Sequence, residues 1–330
     1  MTRSFRNPKI LVLHPGALGD GLLSLPTIRG LRRQHPKHEL IWVGHKSLGE
    51  VFLQAGEVHA TFSFDSISVG SVSGAYSSVA QSLRSSHSST DLLVGWMNDR
   101  DGYWKTWAEN LGYARSIFRS PREGQLTSRH MLERYWEALG AGCAGICPSP
   151  VPDDFRTLQG MFAKSGVQFG QPLRELSEKK LLFLLHPGSG SPEKCVSPDI
   201  FSRMARKLIT RFSGKVALIG GPADSRYLDP ILSTLTDLHP PCFQGLDLPT
   251  VCGFFQQVHV FIGHDSGLSH LAANLGVPSL LLFGPTDPAV WAPRGAHIRV
   301  QWNQNLHFSP GDLCDSVEQL LQGCQHWLVA

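Results

Sequence analysis

Short runs of four to six apolar residues recur along the chain, each bounded by Gly, Pro, His or Asp. In the first half they are Ile10–Leu13, Leu40–Val43, Thr61–Phe64 and Leu92–Trp96; in the second they are Leu181–Leu185, Val216–Ile219, Val258–Ile262 and Leu280–Phe283. Strands buried on both faces of a parallel sheet give such unbroken runs. Between them lie longer stretches with helical spacing. Leu22, Leu25, Ile28 and Leu31 share one face after the first run, and Ser202–Arg211 and Leu268–Leu275 read as helices. Strand–helix alternation predicts an α/β protein of βαβ units wound on parallel sheets. Ser63–Thr90, rich in serine and without apolar period, reads as a loop carrying a surface helix.

A sequence echo divides the chain. Leu11-Val12-Leu13-His14-Pro15-Gly16 opens the first half, and Leu184-Leu185-His186-Pro187-Gly188 opens the second. Two domains of one topology, each starting at its first strand-to-helix turn, would produce this. The length of 330 residues suits two domains of roughly 150 residues each. The expected division is 1–170 and 171–330, with the linker between Cys147 and Lys180 and the last helix packing back on the first domain.

Composition narrows the function classes. With 42% hydrophobic and 17% charged residues the chain is globular, not disordered. A net charge of +3 gives no case for nucleic acid. Residues 1–150 carry 16 Lys and Arg against 12 Asp and Glu, so the basic excess lies in the first half. There Arg115, Arg119, Arg122 and Arg129 form a candidate docking patch for an anionic partner, or a solvated basic surface. The seven cysteines include no CxxC and suggest reduced thiols, not a metal site. No secretory signal is evident and no apolar run approaches the roughly 18 residues of a membrane span.

Four turns carry candidate chemistry. His14-Pro15-Gly16-Ala17-Leu18-Gly19-Asp20-Gly21 joins a strand to a helix whose N-terminus favours an anion; Asp20 in its first turn also reads simply as an acid that complements the helix dipole. His186-Pro187-Gly188-Ser189-Gly190-Ser191-Pro192-Glu193-Lys194 has the parts of a phosphate cradle without being a Walker loop. Gly263-His264-Asp265-Ser266-Gly267-Leu268-Ser269-His270 places Asp265, Ser266 and Gly267 at a helix N-terminus, with His270 one turn further in. It also reads as a capped helix with a core histidine, and it fails the GxSxG pattern of a serine hydrolase. Gly284-Pro285-Thr286-Asp287-Pro288 follows the last strong strand. Several such turns at successive strand ends point to a phosphate-bearing nucleotide ligand.

Together these residues resemble glycosyltransferase family 9, the ADP-heptose:lipopolysaccharide heptosyltransferases. The resemblance rests on Gly19-Asp20 with Pro26, Pro187-Gly188-Ser189 with Lys194, Asp265-Ser266-Gly267-Leu268-Ser269-His270-Leu271-Ala272, Gly276-Val277-Pro278 and Gly284-Pro285-Thr286-Asp287-Pro288. It implies a GT-B architecture of two Rossmann-like doubly wound domains facing across a cleft, the first binding acceptor and the second binding a nucleotide-diphosphate sugar. It implies inverting, metal-independent transfer with no cofactor. Asp20 would be the general base. Ser189, Gly190, Lys194, Ser266, Gly267 and His270 would hold the diphosphate, Asp265 would lie near the donor sugar, and Asp224 would meet the ribose. His14, Arg115, Arg119 and Arg122 would face the acceptor, a saccharide or anionic glycolipid. The expected setting is cytoplasmic, at the inner membrane face. His14 stands where lipopolysaccharide core enzymes often carry Lys or Arg, and residues 45–175 match the family least. The competing functions are a sugar-nucleotide epimerase of the same architecture and a non-catalytic nucleotide-sugar binding protein.

Overall fold

A computed structural model describes residues 7–67, 78–123, 129–140 and 180–324. The chain divides into two compact units, Met1–Ser149 and Pro150–Ala330. The expected boundary at 170/171, and nearly all of the expected linker, lie outside the described residues.

The first unit contains five parallel strands: β1 (Lys9–Leu13), β2 (Glu39–Gly44), β3 (Ala60–Ser63), β4 (Leu92–Gly95) and β5 (Ser116–Phe118), in the order β3-β2-β1-β4-β5. Ile10 pairs with Leu40 on one side and Leu92 on the other, so β1 is central. Its helices are α1 (Leu18–Gln34), α2 (Lys46–Gln54), α3 (Ser78–Leu83), α4 (Tyr103–Asn110) and α5 (Met131–Glu137). The four residues of α1 expected on one face, Leu22, Leu25, Ile28 and Leu31, are all buried. The described part of the serine-rich stretch includes a single-turn 3-10 helix at Phe64–Ser66 and the short α3.

The second unit repeats the plan. Its strands are β6 (Leu182–His186), β7 (Lys215–Gly220), β8 (Cys242–Gln244), β9 (Val260–His264), β10 (Ser279–Phe283) and β11 (Ile298–Trp302), ordered β11-β10-β9-β6-β7-β8. The helices are α6 (Pro198–Phe212), α7 (Ser225–Thr234), α8 (Leu248–Phe255), α9 (Gly267–Asn274), α10 (Pro288–Trp291) and α11 (Pro310–Gly323). In α6, Pro198 takes the first helical position, and Phe201, Met204, Ala205 and Leu208 form the buried stripe. The final helix, α11, packs on α6 and β10 of its own unit. It buries Leu313, Val317 and Leu320 there.

The two echoed segments, β1 and β6, are both central strands flanked by the next strand in sequence on one side and a later one on the other. That arrangement makes each a topological switch point, where the loops after neighbouring strands diverge and leave room for a ligand. The three strands absent from the apolar runs, β5, β8 and β11, lie at sheet edges, and none of their residues is buried. Of the described cysteines, Cys252, Cys314 and Cys324 are buried and Cys195 and Cys242 half-buried, all free thiols.

Candidate functional site

In the second unit the switch point lies between β6 and β9, and the turns after both strands interlock. Ser189 Oγ donates to the Asp265 carbonyl at 2.8 Å. Lys194 Nζ reaches 71 residues along the chain to Asp265 Oδ2 at 2.7 Å. Thr286 Oγ1, from the turn after β10, donates to the same oxygen at 2.8 Å. His270 Nε2 lies 3.9 Å from Asp265 Oδ1. One carboxylate thus gathers residues from three strand ends. Lys194 keeps about a quarter of its side chain exposed while its ammonium is paired to Asp265.

Ser266 caps α9: its Oγ accepts Ser269 N–H at 3.3 Å. Gly267 and Leu268 follow, and their N–H groups have no helical carbonyl within reach. Gly190 is open where a side chain would stand, whereas at Gly188 a Cβ would run into the Asp224 carboxylate. Asp224 itself is buried. Its Oδ2 accepts Gly221 N–H at 2.7 Å and lies 3.3 Å from His186 Nε2. Burial alone would raise its carboxyl, but the hydrogen bonds from His186 and Gly221 outweigh that and hold it below the usual range.

His264 ties the floor of the site together. Val196 N–H donates to Nε2 at 3.0 Å, so Nδ1 carries the proton and faces the Gly188 carbonyl at 3.4 Å. Burial, then the neighbouring His186, push its pKa down to about 3. His186, His264 and Thr286 stand inside the turns singled out in the sequence, yet sequence reasoning gave them no role. Nothing in the local pattern shows that their side chains turn inward.

In the first unit Asp20 is the third residue of α1. Both its oxygens lie 2.8 Å from Arg122 Nη2. His14, at the end of β1, is 2% exposed. Its ring stacks on Trp42 at 5.1 Å and Tyr135 at 5.6 Å, with Trp96 edge-on at 5.8 Å. Nδ1 accepts Gly16 N–H at 3.2 Å, so Nε2 donates to Tyr135 Oη at 3.0 Å. Burial holds its pKa down at about 4 against the pull of nearby Asp20. The neutral imidazole therefore braces the turn that carries Asp20 and does not project as a cation. Gly16 is required there, since a Cβ would sit 2.6 Å from His14 Cε1 and 3.0 Å from Asp20 Cβ.

The basic patch separates. Arg122 meets Asp20, and Arg129 pairs with Glu137. Arg119 follows β5, at the strand end shared with Asp20, while Arg115 precedes β5 at the opposite end, near His35, whose imidazole is lowered by burial, then His38, then Arg115. Among the described residues no cluster of three His, Cys, Asp or Glu could hold a metal, and no helix is long and apolar enough to cross a membrane.

A family model described as glycosyltransferase family 9 (heptosyltransferase) matches residues 107–313. The chain is 23% identical over 319 residues to lipooligosaccharide heptosyltransferase 2 of Haemophilus ducreyi, covering 86% of each. Among solved structures it is similar to a glycosyl transferase family 9 protein from Veillonella parvula, with a TM-score of 0.73 at 21% identity over 98% of this chain and 99% of that one. It is also similar to ADP-heptose lps heptosyltransferase II of E. coli, with a TM-score of 0.71 at 19% identity over 95% and 98%. The two parallel-sheet α/β units are thus those of the GT-B fold.

Proposed function

The chain belongs to glycosyltransferase family 9, and on that premise we propose that it moves a sugar, with inversion, from a nucleoside-diphosphate sugar to a hydroxyl of an anionic saccharide or glycolipid in cell-surface glycan synthesis. ADP-heptose, the donor in the name of the similar E. coli enzyme, is the first candidate. The observation that supports the donor assignment most is the convergence of Lys194, Thr286 and His270 on Asp265 beside the N-terminus of α9. An ammonium, an imidazole and unpaired helix N–H groups are suited to a diphosphate.

In this reading the diphosphate lies against Ser189, Gly190, Lys194, Ser266, Gly267 and His270. These groups stabilise the charge that grows on the leaving group, so the protein and not a metal ion supplies the positive charge. Asp265 stands beside the donor sugar. Asp20 takes the proton of the acceptor hydroxyl as it attacks the anomeric carbon, a general-base role. One displacement without a covalent intermediate inverts the anomeric centre. Arg122 and Arg119 present positive charge to an anionic acceptor from the strand ends that carry Asp20. The reaction belongs in the cytoplasm, at the membrane face where such glycolipids are built.

The test is incubation with ADP-heptose and a heptose-accepting glycolipid core, with and without EDTA, and assignment of the product anomer by NMR. Transfer with inversion that survives EDTA is expected. A retained anomer, or activity that EDTA abolishes and Mg²⁺ restores, overturns those parts of the reading; return of an isomerised donor would make the protein an epimerase.

A further inference from the structure

Below the diphosphate-binding turns, Ser266 continues into a chain of three side chains from three strand ends, and the transfer chemistry leaves the lower two, His186 and Asp224, unused. His186, 4% exposed at the end of β6, lies between two oxygens. Its Nε2 is 3.3 Å from Asp224 Oδ2 and its Nδ1 is 3.3 Å from Ser266 Oγ. Ser266 is the N-cap residue of α9, the helix end assigned to the diphosphate.

The hydrogens can be counted. An ionised carboxylate only accepts, so Nε2 carries a hydrogen toward Asp224. Ser269 Oγ gives its hydrogen to the His264 carbonyl in a short bond, so it has none for Ser266. Ser266 Oγ accepts Ser269 N–H. With a neutral imidazole, Nδ1 is an acceptor, and the Ser266 hydroxyl is shared between it at 3.3 Å and Ser269 Oγ at 3.1 Å. With a proton on Nδ1 the polarity reverses: Nδ1 donates to Ser266 Oγ, and the hydroxyl hydrogen keeps Ser269 Oγ as its one internal acceptor, which a phosphate oxygen at the helix end can replace.

We propose that Asp224, His186 and Ser266 form a proton-accepting support for the diphosphate, in which anion binding at the N-terminus of α9 adds a proton to His186 and turns the Ser266 hydroxyl onto a phosphate oxygen. The inference rests on the donor-site reading above. It makes His186 a positioning residue that acts through Ser266, and gives Asp224 its role through His186.

The proton also suits the reaction. When the bond from the anomeric carbon to the diphosphate oxygen breaks, its electron pair stays on that oxygen and the leaving group gains one negative charge. A proton drawn from solvent onto His186 compensates it, while the acceptor's own proton goes to Asp20. Imidazole is the side chain able to change charge near neutral pH. The charged and titratable groups around His186 are few. Asp224 faces it, with Arg226 of α7 acting on that carboxylate. Lys194 stands on the turn after β6, ion-paired to Asp265. Asp265 and His270 stand at the start of α9 and within it. His264 of β9 has both nitrogens committed and is held neutral. The Phe261 ring lies nearly parallel to the imidazole, with centroids 6.4 Å apart, and carries no charge. His270 is therefore the rival proton acceptor.

The experiment is calorimetric titration of the full chain with ADP at pH 7.5 in buffers of different ionisation enthalpy, which counts protons taken up per ADP bound. Wild type should take up protons as it binds ADP. His186→Gln keeps a donor toward Asp224 but has no titrating nitrogen; it should bind ADP with no uptake. Asp224→Asn, which removes the carboxylate that fixes Nε2 as donor, should also lose uptake, whereas His270→Gln should bind ADP more weakly but still take up protons once saturated. ADP binding without uptake in wild type, or undiminished uptake in His186→Gln, overturns the proposal and leaves the donor site standing. Absence of ADP binding to wild type overturns both. Should His186→Gln fail to fold, by its melting curve, the wild-type count and Asp224→Asn decide.

Discussion

Arg122 holds Asp20 by both carboxylate oxygens, through one guanidinium nitrogen 2.8 Å from each. The side chain of Asp20 is 15% exposed and that of Arg122 is 60% exposed, so the acid is fixed in the turn while its partner reaches solvent.

Asp20→Asn keeps size and shape but cannot take the proton. Turnover should fall by ~10²–10⁴-fold, the usual worth of general-base catalysis. Donor affinity and melting temperature should stay close to wild type, because a first-turn acid adds only ~0.3–1 kcal/mol to a helix. Steady-state kinetics beside calorimetry and a melting curve make the check; near-normal turnover would remove Asp20 from the chemistry.

Arg122→Ala should raise the acceptor's Michaelis constant several-fold and leave donor affinity unchanged. Arg115→Ala should do neither, since that residue precedes β5, at the opposite sheet end from Asp20. Neither exposed arginine should cost more than about 1 kcal/mol of stability. Equal kinetic effects of the two changes would mean that the basic excess acts at long range and not through the Asp20 contact.

Lys194→Ala removes a cation and also leaves Asp265 facing the diphosphate with its charge less neutralised. ADP affinity should drop by roughly 1–3 kcal/mol, the range for losing a hydrogen bond to a charged group. Gly188→Ala should weaken ADP binding too, by a different route. Its Cβ would press on an Asp224 carboxylate that Gly221 and His186 hold in place, so the phosphate turn itself must shift. Unchanged calorimetric affinity in both variants would move the diphosphate away from this turn.

His14 makes the first unit sensitive to acid. A histidine in an unfolded chain titrates near ~6.5, whereas burial among Trp42, Trp96 and Tyr135 puts His14 at about 4. Between those values the unfolded chain binds the proton that the folded one refuses. The contribution of His14 is therefore fully present above ~6.5 and is lost as pH falls toward 4. The span corresponds to on the order of 3 kcal/mol. His14→Phe keeps the stacking and removes the titration, so its melting temperature should fall less between pH 7 and pH 4.5 than that of wild type. Parallel melting curves for the two proteins would contradict the assignment.

The sequence by itself determined the sheets' interiors and the places where chemistry concentrates. Strands covered on both faces must be apolar throughout, so β1, β2, β4, β6, β7, β9 and β10 announce themselves as unbroken runs. The repeated His-Pro-Gly after β1 and β6 marks the two central strands, because each closes the first strand-to-helix turn of its unit. Helix spacing in α1 and α6, and the Gly, Ser and Asp at the turns, are likewise local properties that a linear reading captures. The edge strands β5, β8 and β11 escaped it, since a strand left half-exposed needs no continuous apolar run. Only the tertiary structure decided what the polar side chains of the turns do. Lys194 and Asp265, 71 residues apart, meet because β6 and β9 are neighbours. Arg122 and Asp20 meet across 102 residues of sequence, while Arg115, only seven residues before Arg122, is carried to the opposite end of β5. His14 and His186 end equivalent strands in the same three-residue motif. One is enclosed by aromatic rings and kept neutral, and the other is set between a carboxylate and a hydroxyl. That difference comes from what the neighbouring strands and helices place against each ring, which no local pattern of residues records.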